Sequence, residues 1–267
     1  MNAAGSSGSS GSSGAEVATE VATEVATEVA AGVAVLTVDR PAVRNAISPA
    51  TMDALEAALD SVAAVADVLV IRGGGDRAFI SGGDLKELAK IRTFDGAVQM
   101  AVRMRRLCDR IATFPAPVVA VLNGHALGGG AEVAVAADIR VAAEDVTIGF
   151  NQSRLAIMPA WGGAERLAAV VGRSQAMLLA TTGVRVSASE ALRIGLFDLV
   201  YPREGFESSW RSLASLIASS PSRAIKSVIA PAAPNHHESL EGSAAAAFAS
   251  LWVDDAHWAA VDGLGRK

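Results

Sequence analysis

Apolar and polar positions follow two regimes along this chain. Short, nearly continuous apolar runs occur at Val33–Val38, Val68–Ile71, Pro117–Val121 and Ile139–Ala142. Such runs, bounded by glycine, proline or charge, read as strands buried on both faces. Between them lie segments of helical period. Ser48 followed by Pro49 is a helix start, a capping hydroxyl with proline at the first helical position, and Met52, Leu55, Leu59 and Val62 follow at helical spacing. Ala97, Met100, Ala101, Met104, Leu107, Cys108 and Ile111 predict a long amphipathic helix from about Asp95 to Ala112. A shorter helix is expected from about Gly130 to Ala137. Ser187-Ala-Ser-Glu190 fits a capping box, and Gly195 ends the helix it begins. Strands alternating with helices over roughly 170 residues predict an α/β layered core. Beyond it, the alanine-rich stretch with Trp210, Phe248, Trp252 and Trp258 reads as helical.

The start of the chain is different. Gly5–Gly14 has flexible-linker composition, and Glu16–Ala30 repeats Glu-Val-Ala-Thr with a period of four. Neither part has the basic start and apolar centre of a signal peptide. Valine every fourth residue drifts around a helix and makes a poor core-facing stripe. Residues 1–31 are therefore expected to be a disordered low-complexity tail without a catalytic role, the excess of valine leaving pairing as an edge strand open. The domain proper is then 32–267, with a core over 32–200 and a helical region over 201–267.

Composition narrows the functional classes. Of the 267 residues 51% are hydrophobic and only 4% aromatic, which suits alanine-, valine- and leucine-rich layers rather than global disorder. A net charge of −5 offers no broad basic field for nucleic acid. Arg103, Arg105, Arg106 and Arg110 on the long helix read as a solvated or interface face. A single cysteine, Cys108, excludes an intramolecular disulfide and a cysteine-based zinc site and reads as a small core hydrophobe. His125, His236, His237 and His257 lack metal-ligand spacing, and His236-His237 reads as solvated. No apolar run reaches the ~18 residues of a membrane span. The chain reads as a reduced, soluble, cytoplasmic protein.

Two glycine-rich turns carry the candidate chemistry: Ala78-Phe-Ile-Ser-Gly-Gly-Asp-Leu85 and Asn123-Gly-His-Ala-Leu-Gly-Gly-Gly-Ala-Glu132, each between a strand and a helix. Glycine admits close approach of the backbone, and a turn opening into a helix leaves N–H groups unpaired at the positive end of the dipole. Two such turns could aim donors at one developing oxyanion, or could be plain turns. Neither has a P-loop ending or a dinucleotide fingerprint, and no G-x-S-x-G elbow occurs.

The ordered set Arg40-Pro41…Asn45-Ala46, Ala78–Leu85, Asn123–Glu132, Asp138–Ala142, Ile157-Met-Pro159…Gly162-Gly163…Arg166-Leu167 and Ser187–Leu199 resembles the crotonase (enoyl-CoA hydratase/isomerase) family. The likeness covers about Val33 to Leu199, and the C-terminal helices more loosely. It implies a spiral of ββα turns followed by a C-terminal helical region that supports trimers or dimers of trimers. It also implies an acyl-CoA thioester substrate, with coenzyme A entering as part of that substrate and no separate cofactor or metal. The family's two oxyanion-binding amides map to Gly83 and Gly129. Arg44, Ala46, Ser81, Gly82, Asp84 and Leu85 match positions lining the CoA pocket, although Asp84 could equally cap the next helix.

Glu132 matches a family acid/base position; its plainer reading is an acidic residue favoured at a helix N-terminus. In family hydratases a second glutamate joins it across the water to be added. Here that position holds Gln152, and an amide exchanges no proton near neutral pH. The neighbouring Arg154 could meet a substrate carboxylate or simply lie on the surface. Decarboxylation of a substituted malonyl-CoA needs no base to create the enolate, and Pro159-Ala-Trp161-Gly-Gly163 is similar to the ethylmalonyl-CoA decarboxylase branch, with Trp161 as its distinguishing residue. A non-catalytic CoA-binding scaffold is the reading from another class. Lys226 and Arg266-Lys267 are candidate phosphate contacts.

Overall fold

The apolar runs become adjacent strands of one mainly parallel sheet. The computed structural model describes residues 24–230 and 238–264. Strands β1 (Val25–Ala30), β2 (Val33–Val38), β3 (Val68–Gly73), β5 (Val118–Leu122), β7 (Ile139–Ala143) and β10 (Leu199–Tyr201) lie in that order in a six-stranded sheet. Only the β1–β2 pair is antiparallel. A second sheet takes the short strands β4 (Ala78–Ile80), β6 (His125–Leu127), β8 (Thr147–Gly149) and β9 (Arg185–Ser187), with β9 antiparallel at its edge. The chain thus alternates between sheets and inserts a helix after each visit. It runs β3–β4, then α2 (Leu85–Leu88) and α3 (Phe94–Ala112), then β5–β6 and α4 (Gly129–Ala136), then β7–β8.

Helix α1 (Pro49–Val62) starts at Ser48, which accepts from the Thr51 N–H, and its expected apolar face is buried. All the expected inward residues of α3 are buried as well. After β8 come a 3-10 turn (Asn151–Leu155), α5 (Gly163–Val171), α6 (Arg173–Thr182) and α7 (Ala188–Arg193), the last capped by Ser187 and ended by Gly195 at φ +75°. The C-terminal region is helical: α8 (Phe206–Ala218), α9 (Ser222–Ile229), α10 (Glu238–Trp252) and α11 (Asp255–Leu264), with α10 packed along α3. No described helix is long and apolar enough to cross a membrane.

The tail boundary expected at residue 31 is moved back, because Val25–Ala30 is strand β1, paired at the sheet edge as the valine excess left open. A four-residue repeat is incommensurate with a helix but commensurate with the two-residue period of a strand, so Val25 and Val29 fall on one face of β1, the second of them exposed. Val25 is buried, and Ala31 and Gly32, both at positive φ, make the two-residue turn into β2. Residues 1–23, and with them most of the repeat, lie outside the described residues. The basic face expected on α3 also needs correction. Arg105 is buried and paired with Glu165, and Arg103 and Arg110 are engaged with acidic residues of α1. Cys108 is a buried free thiol, and burial pushes its pKa up to about 12.

Glycine is obligatory where α4 meets β4. A Cβ on Gly130 would stand 1.8 Å from the Ile80 carbonyl oxygen. Gly130→Ala is expected to destabilise by at least about 1–3 kcal/mol. Gly242→Ala in α10, where a Cβ would meet nothing within 4 Å, should be neutral or gain up to ~1 kcal/mol. Urea midpoints of the two variants check this contrast.

Candidate active site

Strands β4, β6 and β8 run parallel side by side, with Ala78 beside His125, Ile80 beside Ala126, and Ala126 beside Ile148. Their C-terminal ends therefore lie at one edge. The segments leaving that edge are Ser81–Asp84, Gly128–Glu132 and Phe150–Gln152, and they meet at a cavity of about 840 Å³. Arg44, Ala46, Ser81, Gly82, Gly83, Asp84, Leu85, Gly129, Glu132, Gln152 and Trp161 all line it. Sequence separation is thereby converted into proximity by strand register alone.

The first turn is clamped from behind. The Ile47 N–H donates to the Gly82 carbonyl and the Asp84 N–H to the Ile47 carbonyl, both at 2.8 Å, a parallel bridge opposite Gly83. In such a bridge the N–H of the central residue faces away from its partner, and the Gly83 N–H makes no backbone hydrogen bond. In the second turn Gly128 adopts φ +55° and ψ −121°, outside the regions open to residues with a Cβ. Gly129 is the first residue of α4, and its N–H is likewise unpaired within the backbone. The Trp161 ring lies where a Gly129 side chain would be, 2.0 Å from an ideal Cβ, and 3.8 Å from one on Gly83. The indole therefore walls both glycines.

Glu132 is the most deeply buried of the described carboxylates that line this cavity, 2% exposed. One oxygen, Oε2, accepts from the backbone N–H groups of Trp161 (2.8 Å) and Gly163 (3.0 Å); the other, Oε1, accepts from Gln152 Nε2 at 2.8 Å. Burial opposes ionisation more strongly than these donors favour it, and the pKa is pushed up to about 7. Gln152 is itself buried, and its Oε1 has no partner. An unpaired buried carbonyl beside a cavity is an acceptor waiting for a donor.

Asp84 meets both alternatives posed for it: Oδ1 accepts from the Glu87 N–H and caps α2, while the residue also lines the cavity. Arg154 is exposed and points to the Thr182 carbonyl, away from the cavity. Lys226 is buried against Asp138 and the Ala116 carbonyl, which removes it as a phosphate contact. Arg266, Lys267, His236 and His237 lie outside the described residues. Sequence reading missed Met100, Leu88, Phe248 and Trp252 as cavity walls; they read as ordinary core, and nothing local marks a helix residue that borders a cavity. No group of three or more His, Cys, Asp or Glu suited to a metal occurs among the described residues.

Comparison with known proteins places these features in a family. Residues 28–248 match the family model described as enoyl-CoA hydratase/isomerase. A short-chain-enoyl-CoA hydratase of Clostridium acetobutylicum is 31% identical over 194 residues, 72% of this chain and 74% of that protein. A probable enoyl-CoA hydratase of Rhodobacter capsulatus is 36% identical over 201 residues, 73% and 75% of the two chains. The crystal structure of an enoyl-CoA hydratase from Mycobacterium avium subsp. paratuberculosis K-10 superposes with a TM-score of 0.81 at 27% identity, covering 91% of this chain and 98% of the other.

A carboxyl held near 7 in the folded state, against 4.5 when free, makes stability fall as pH rises between those values. The contribution is fully present below 4.5 and lost above 7, by about 3 kcal/mol. Glu132→Gln removes this titration. The melting temperature of the native protein is expected to fall relative to that variant between pH 5 and 8, and calorimetry showing parallel curves would contradict the assignment.

Proposed function

The chain belongs to the enoyl-CoA hydratase/isomerase family, and on that premise we propose that it transforms an acyl-CoA thioester through an enolate, with Glu132 as its only proton-transfer group. The observation that carries this reading is the Glu132 carboxylate itself, buried at the cavity wall, poised near neutrality and hydrogen-bonded by the Gln152 amide rather than by a second carboxyl. The thioester oxygen is taken to receive the free N–H groups of Gly83 and Gly129. Donors fixed in advance stabilise negative charge that develops there without reorganisation. The helix dipole of α4 adds to this at Gly129. Coenzyme A arrives as part of the substrate, and the step calls for no other cofactor.

One carboxylate suffices for hydration of an enoyl-CoA. Glu132 takes a proton from water as the oxygen attacks the β-carbon, and the electron pair moves to the thioester oxygen. The same carboxyl then returns that proton to the α-carbon. The orphaned Gln152 Oε1 supports this reading, since it can accept from the attacking water or from the hydroxyl of the product. The similar relatives named as hydratases support it too.

The absence of a second carboxylate favours one other reaction. A substituted malonyl-CoA loses carbon dioxide, its electron pair passing to the thioester oxygen, and protonated Glu132 delivers a proton to the α-carbon. The two readings differ in pH dependence. Hydration needs ionised Glu132, so its rate rises with pH through about 7; decarboxylation needs the protonated form, so its rate falls through the same value.

Assay of crotonyl-CoA hydration and ethylmalonyl-CoA decarboxylation across pH 5.5–8.5 separates them. Glu132→Gln is expected to lower kcat by ~10²–10⁴-fold. Thioester binding without turnover, or turnover indifferent to Glu132→Gln, would sink the proposal.

A further inference from the structure

The repeated N-terminal segment reaches the site through a chain of contacts that begins at Glu24. Glu24 precedes β1, and its carbonyl accepts the Asp39 N–H at 2.9 Å, which fixes it beside the end of β2. Its carboxylate does three things at once. Oε2 accepts from Ser48 Oγ at 2.8 Å and from Thr51 Oγ1, the two side chains that cap α1. Oε1 pairs with Arg40 Nε at 2.9 Å.

Arg40 carries the contact onward. Its Nη1 donates to the Ala46 carbonyl at 2.5 Å, and its Nη2 pairs with Asp84 Oδ2 at 3.0 Å. Ala46 and Asp84 both line the cavity, and Asp84 directly follows Gly83. The guanidinium is thus a planar bracket with each of its nitrogens engaged, two on the site segments and one on Glu24. Side chains here are mostly covered, with 16% of Arg40 and 10% of Asp84 exposed, so solvent screens the pair only partly.

We propose that Glu24 is a positioning residue for the Gly83 turn, acting through Arg40 and Asp84, and that the four-residue repeat makes this glutamate interchangeable with the one before it. The first part rests on the reading of Gly83 as a thioester-oxygen donor; the contact chain itself does not. Without Glu24 the Arg40 fork loses the acceptor that sets its rotation, and its pair with Asp84 is no longer held in one geometry beside the Ile47 bridge. Misplacement of a catalytic donor by about 1 Å is worth up to ~10²-fold in rate. The second part follows from the sequence. Residues 17–22, 21–26 and 25–30 all read Val-Ala-Thr-Glu-Val-Ala, preceded by Glu16, Glu20 and Glu24.

The test uses the repeat as its own rescue. Glu24→Ala should lower kcat ~10-fold or more with KM changed less than about twofold, and amide exchange read by mass spectrometry should quicken in the 81–88 segment. Deleting Val25–Glu28 from that variant moves Glu20 into the place of Glu24 and Val21 into that of Val25, and should restore both readouts. The same deletion in the native chain should change neither. Should Glu24→Ala fail to fold, Glu24→Gln is read in its place, with a smaller change in the same direction. Native rates and exchange in Glu24→Ala would overturn the proposal, as would a loss that the deletion leaves unrepaired. Exchange needs no substrate, so an enzyme inactive on every thioester would defeat the proposed function while leaving this inference to be judged by exchange.

Discussion

Everything at the site follows from the parallel alignment of three very short strands. β4, β6 and β8 contribute only three residues each, yet their shared direction delivers Gly83, Gly129 and Gln152 to one edge although the chain separates them by dozens of residues. Parallel strands cannot be joined by tight hairpins. Each therefore has to be reached by a return through the larger sheet and a helix, and that requirement generates the spiral. The larger sheet supplies the buried aliphatic surface that stabilises the fold, while the smaller one is little more than a register device. Its neighbour α4 approaches so closely that only glycine fits at Gly130.

Within that frame the energetic tension is concentrated on one carboxylate. An ionised group in an apolar interior is costly unless donors surround it. Glu132 has three, two of them backbone N–H groups of the Trp161–Gly163 turn, and no salt bridge to it occurs among the described residues. The donors are enough to hold the side chain in one orientation and too few to make its ionisation easy. Trp161 serves this arrangement twice, donating its N–H to Glu132 and laying its ring across Gly129. Glycine at 163 lets the carboxylate reach that N–H, since a Cβ there would overlap the Glu132 side chain.

Much of this is legible in the sequence. The buried strands, the Ser48 cap and the inward face of α3 follow from period and capping chemistry, because those signals are local. The two glycine turns were visible as turns, but their convergence was not, since nothing in either segment encodes the register of β4 against β6. Glu132 and Gln152 stood out only through the resemblance to a family. The burial of Arg105 is not legible because its partner, the half-buried Glu165, is distant in sequence. The N-terminal repeat is harder to read, because its period fails as a helix and its valines leave an edge strand open without fixing where it begins. Four is a poor helical number and an even one, and a strand needs only the latter. Phe248 and Trp252 reach the cavity from the last third of the chain, a placement set by how α10 lies on α3.

That evenness makes the segment indifferent to its own length, as long as the length changes by whole repeats. Here a unit gained or lost ahead of the Ala31-Gly32 turn spells the same strand up to that turn, with glutamate and valine at the same distances from it. A change of one four-residue unit would thus alter only the length of chain upstream of β1 and leave the text of the hairpin as it is.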